Sequence, residues 1–123
     1  MASGLLAARK PGEIAVLLAG DLHARTKPGA PWNATIVWAG VHLRAKEPKL
    51  VSLANRFLGG EAWTCLGNSP SDCGIKTVKG RGVAPDFRIE RFASTDSVGF
   101  DGVFEIGPAT ASLPAREDMR TRR

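Results

Sequence analysis

The feature that most constrains this chain is the run Glu13-Ile-Ala-Val-Leu-Leu-Ala19, which stops abruptly at Gly20-Asp21. A short, continuous apolar run bounded by glycine suits a strand buried on both faces, as in the interior of a parallel sheet. The next segment, Thr26-Lys-Pro-Gly-Ala-Pro31, reads as a loop from its two prolines and its glycine. Asn33–Ala45 is expected to be helical: Asn33 can serve as N-cap, and Ala34, Trp38, Val41 and Ala45 share one helical face. The β-branched residues Thr35, Ile36, Val37 and Val41 and the interrupting Gly40 pull against that reading. Pro48 closes the helix, and Lys49–Ala54 reads as a second strand.

Strand, loop, helix and strand in this order make a βαβ unit, with parallel pairing and a right-handed crossover. The expected fold class is therefore α/β, with a small, mostly parallel sheet. The remainder is glycine-rich and loop-like, with shorter strands at Glu61–Thr64, Asp86–Arg91 and Gly102–Ile106. Residues 107–115 carry two prolines and read as irregular but partly packed. Three segments result: a lead-in over 1–12, one α/β domain or half-domain over 13–115, and a basic tail over 116–123.

With 123 residues there is room for one domain, able to bury roughly two-thirds of its unfolded surface. The net charge of +5 invites a nucleic-acid reading, but the last eight residues hold four arginines against two acids. Without them the net charge is +3. A solvated terminus accounts for such a tail, and the sequence has no recognisable nucleic-acid module, so nucleic acid is not the expected partner. No apolar run approaches the roughly 20 residues of a membrane span. Leu5–Ala8 is too short for a signal peptide, and Arg9 and Lys10 follow it instead of preceding it. Read literally, the chain stays in the cytoplasm. Cys65 and Cys73 flank a turn containing Gly67, Asn68 and Pro70, so the two sulfurs could meet in a disulfide, or remain free thiols. A disulfide would imply an oxidising compartment. Two cysteines without a further ligand pair make an incomplete zinc site.

Ligands of parallel α/β sheets gather beyond the carboxyl ends of the strands, where Gly20-Asp-Leu-His-Ala-Arg25 would lie. Asp21 and His23, two apart, would face the same side if extended. They could then bind a divalent metal or perform acid–base work. Arg25 could hold an anionic group of the substrate, and Asp101 could approach the same edge as a helper. The bland alternative has Asp21 capping a turn, His23 satisfying a carbonyl and Asp101 serving as a turn residue before Gly102. His42 reads as a half-buried or solvent-facing histidine. Ser112 lacks the Gly-x-Ser-x-Gly setting of a nucleophile.

Gly20-Asp-Leu-His23 closing an apolar strand resembles the motif of the Tiki/TraB-like (haem-binding-uptake) superfamily. The wider stretch is similar to a group of uncharacterised bacterial proteins at its margin. The shared pieces are Gly59-Gly-Glu-Ala-Trp-Thr-Cys65, Asp72-Cys-Gly74, Asp101-Gly102 and Thr110-Ala-Ser-Leu-Pro-Ala115. The resemblance implies an α/β fold and a metal-dependent hydrolase-like domain, with a small molecule or peptide as substrate. Asp21 and His23 would then be metal or acid–base residues. The superfamily's site also draws on an N-terminal half, so the chain is expected to be the C-terminal part of a larger domain, incomplete as a catalyst. A longer parent protein would carry it to the periplasm or beyond. Haem ligation by tyrosine is excluded, since the chain has no tyrosine. An exposed sheet edge would favour a homodimer. A metallophosphoesterase also opens its site with strand-Asp-x-His, but the further histidine motifs of that family are missing here. A non-catalytic ligand-binding or remnant domain is the third reading.

Overall fold

The structure, a computed structural model, describes residues 4, 6, 7 and 10–112. Half of the expected lead-in, and the whole of the basic tail, thus lies outside the described residues. Among the elements described in full, α1 (Asp21–Ala24) and α2 (Ala39–Lys46) precede five strands. The strands are β1 (Leu53–Arg56), β2 (Gly59–Cys65), β3 (Cys73–Lys79), β4 (Phe87–Arg91) and β5 (Gly102–Ile106). β2 and β3 form an antiparallel hairpin, while the other three strands make a sheet in the order β1-β5-β4.

This is a mostly-β protein, and the expected parallel α/β sheet with its βαβ unit is not what the chain builds. The reason lies in the run Glu13–Ala19. It forms no strand, and among the described residues no other segment pairs with it. Ile14, Val16 and Leu18 are 93%, 87% and 86% exposed. Apolar character alone cannot make a strand: the backbone needs a neighbour to complete its hydrogen bonds.

The expected helix over Asn33–Ala45 shrinks to α2. Asn33 does not cap it but accepts bonds from the backbone N–H and the hydroxyl of Thr35, holding a local turn. The β-branched Thr35-Ile-Val37 stays outside the helix. α2 begins after Trp38, carries Arg44 and Lys46 in its last turn, where cations suit the helix dipole, and ends at Glu47, just before Pro48. The second expected strand, Lys49–Ala54, is displaced to β1. β3 is an element that the loop-like reading passed over.

The chain divides into two compact units: Met1–Asn55 with Ile89–Phe104, and Arg56–Arg88 with Glu105–Arg123. The first unit holds the buried apolar residues Trp38, Leu43, Phe100 and Val103. Gly40 is required there, because a Cβ would meet the Arg25 carbonyl oxygen at 2.4 Å. Gly99 (φ +103) similarly lets the turn Asp96–Phe100 close against the Thr26 and Lys27 backbone. The Asp96 carboxylate accepts from the N–H groups of Val98, Gly99 and Phe100 in that turn.

In the second unit the β2–β3 register pairs Trp63 with Ile75 and Cys65 with Cys73. The two cysteines are joined by a disulfide. Beyond it, a one-turn 3-10 helix at Pro70–Asp72 is closed by a reciprocal Ser69–Asp72 capping box. The segment after β5 packs beside the start of β2, with Ala109 N–H donating to Gly59 O and Glu61 N–H to Ala109 O.

Candidate functional site

Gly20–Arg25 is not the carboxyl end of a strand but a single helical turn. Residues two apart on a helix point to different sides, so Asp21 and His23 do not converge. Each has a different neighbour. The Asp21 carboxylate accepts from Arg25 Nη2 at 3.1 Å, an i,i+4 pair with Arg25 largely covered and Asp21 more than half exposed. The His23 ring stands edge-on to Trp38, at 6.3 Å between centroids and 89° between planes. Trp38 is in turn held by its indole N–H, which donates to Gly29 O. The end of the turn is fixed by the Ser52 hydroxyl, which donates to Ala24 O at 2.6 Å. Arg25, expected to contact an anion, is committed to Asp21 through Nη2, while its buried Nε has no partner among the described residues.

The turn thus leaves Asp21 and His23 on different sides, and no group of three or more His, Cys, Asp or Glu side chains that could hold a metal ion assembles among the described residues.

Asp101 is a heavily engaged carboxylate of the first unit. One oxygen accepts from Arg44 Nη2 at 2.5 Å and from the Ser52 N–H at 2.8 Å, the other from the Thr95 hydroxyl at 2.6 Å. Its own backbone N–H donates to Ser52 O, and its carbonyl accepts from the Phe92 N–H and from Arg91 Nε. Burial alone would raise the carboxyl pKa, but the bonds from Ser52, Thr95 and Arg44 outweigh it and hold the group below its ordinary 3.8. The side chain is thus an anionic clamp joining α2, the approach to β1 and the turn before β5.

The sequence reading singled out Asp101 but none of its partners. Arg44 and Ser52 lie 57 and 49 positions away, and nothing local marks either one. Thr95, six positions away, belongs to the polar stretch Ser94-Thr-Asp-Ser97 and was the one partner within reach of a local argument. Glu105 was missed as well. It is fully buried in the second unit, accepting from the N–H groups of Val83 and Ala84 and pairing with Arg88 Nη2 at 3.3 Å.

The hairpin offers a different kind of surface. Its exposed face carries the cross-strand pair Trp63–Ile75 beside the disulfide, and Leu66 follows it at the turn, 77% exposed. Ser112 is exposed, and His42 lies exposed on α2. Among the described residues no helix is long and apolar enough to cross a membrane. The chain matches no protein-family model, no curated protein and no solved structure.

Proposed function

We propose that this chain is a non-catalytic binding domain of an oxidising compartment, engaging a peptide or small apolar ligand without transforming it. The reading rests on one observation. Asp21, His23, Arg25 and Asp101, the side chains with the best claim to chemistry, are each engaged by a neighbour within the fold. Ligand contact then falls to the exposed hairpin face at Trp63 and Ile75, where an aromatic ring and a β-branched side chain stand directly opposite each other. The Cys65–Cys73 disulfide supports a periplasmic or secreted setting, because reducing compartments do not maintain such bonds.

The competing proposal is the metal-dependent hydrolase implied by the Tiki/TraB-like resemblance. It requires Asp21 to leave Arg25 and His23 to leave Trp38, so that both can turn toward one ion. Thermal unfolding by circular dichroism separates the two, run with Mn2+, Zn2+ or a chelator on wild type and His23→Ala. A binding domain keeps the same midpoint under all three additions. A wild-type midpoint that rises with metal and falls with chelator, with His23→Ala unresponsive, overturns this reading in favour of the hydrolase.

A further inference from the structure

Glu13–Ala19 combines three properties that no other described segment shares. It is continuously apolar after Glu13. Its alternate side chains Ile14, Val16 and Leu18 stand almost fully in solvent. Among the described residues its backbone from Ile14 to Ala19 takes part in no hydrogen bond. Scattered surface leucines need no explanation, but three neighbouring aliphatic side chains on unpaired backbone leave a segment open to pairing with another strand.

The order of residues says which strand. Ile14, Val16 and Leu18 read the same way in both directions about Val16: a branched aliphatic side chain, valine, a branched aliphatic side chain. A two-fold interface demands this property, since residue i must meet j while j meets i. We propose that two copies of this chain pair through Glu13–Ala19 as an antiparallel ladder centred on Val16. Ile14 then faces Leu18 of the second copy, and Val16 faces its own counterpart. Charge selects the same arrangement. In a parallel, in-register pairing the two Glu13 carboxylates would stand side by side, which is unfavourable. The antiparallel ladder sends them to opposite ends, each facing an Ala19. A ladder this short lies at the small end of specific interfaces, below about 1,200 Å². The dimer is therefore a reversible one that forms at high concentration.

The register makes the proposal testable. Both native cysteines are in the disulfide, so an introduced thiol has no native competitor. Under mild oxidation Val16→Cys should cross-link to itself, because directly opposed residues approach within disulfide reach. Ile14→Cys alone should not, since its counterpart lies four residues along the ladder, roughly 14 Å away. An equimolar mixture of Ile14→Cys and Leu18→Cys should cross-link between the two variants. The expected preference for Val16→Cys over Ile14→Cys is at least about tenfold in rate. By light scattering, wild type should be dimeric at high concentration, and Val16→Lys monomeric with an unchanged circular dichroism spectrum. A monomer at every concentration, an open-ended series of oligomers, or Ile14→Cys cross-linking as fast as Val16→Cys each overturns the proposal. These outcomes are independent of metal and leave the binding-domain reading to its own experiment.

Discussion

The most apolar stretch of the chain and the most buried strand are different segments. Ile14-Ala-Val-Leu-Leu-Ala19 has no charge and stands in water, whereas β5, Gly-Val-Phe-Glu-Ile, carries a glutamate that is completely buried. β5 is the central strand of its sheet, flanked by β1 and β4, so both edges of its backbone are satisfied. Val103 is 1% exposed there. β4, at the edge of the same sheet, is exposed along its whole length even though it contains Phe87 and Ile89. Position between neighbours thus decides burial more strongly than hydropathy does. A buried charge is tolerated where donors are fixed around it, and an apolar side chain stays wet where nothing lies beside it.

Removing the charge at the centre should break this contrast most. Glu105→Ala leaves the Val83 and Ala84 N–H groups without their acceptor and Arg88 without this carboxylate. The expected loss is about 2–4 kcal/mol, kept below the range for fully buried pairs because Arg88 is half exposed. Urea unfolding measures it, and a loss no larger than that of a surface substitution would mean that the carboxylate is incidental to the fold.

Acid should have a smaller effect of defined sign. Asp101 has a lowered folded pKa, so between that value and 3.8 the unfolded chain binds the proton more readily than the folded one. Its contribution is complete above about 3.8 and fades as pH falls through the folded value. A urea midpoint measured across this window should fall with pH in wild type. In Asp101→Asn, which cannot titrate there, the part of the slope due to this carboxyl should vanish. If the two profiles coincide, the clamp does not titrate as described.

The least disturbance should come from the apolar run. Val16→Thr, studied at concentrations where the chain is monomeric, should change unfolding stability by less than about 0.5 kcal/mol, as exposed positions do. A cost comparable to that of a core valine would place the run inside the protomer's fold and erase the comparison.

How much of this the sequence disclosed follows the same division between local and distant causes. β5 was legible residue for residue, because Asp101-Gly102 marks its start and Gly107-Pro108 its end. The stop of α2 before Pro48 and the loop around Pro28 and Pro31 were legible for similar local reasons. β3 was not, although Ile75-Lys-Thr-Val-Lys79 is rich in β-branched residues. Gly74 and Gly80 at its ends suggested a loop, and its pairing with β2 is a tertiary fact. The fold class failed at Glu13–Ala19. Its composition describes what would cover the run but cannot say whether this chain supplies the cover. Asp101 was visible as a candidate, yet its role depends on Arg44 and Ser52, which only folding brings to it.

The stapled hairpin bears on how the chain finds its structure. With Cys65 and Cys73 bonded across β2 and β3, an unfolded chain that keeps the bond keeps the turn between them closed, so pairing of the two strands in refolding begins without the entropy of bringing their ends together. The bond also fixes which residues meet. A one-residue slip, which would exchange the faces of Trp63 and Ala62, is ruled out while it persists. The hairpin is therefore the element whose refolding gains most from an intact disulfide. Slower refolding under reducing conditions, with scatter in β2–β3 register, would be its kinetic signature.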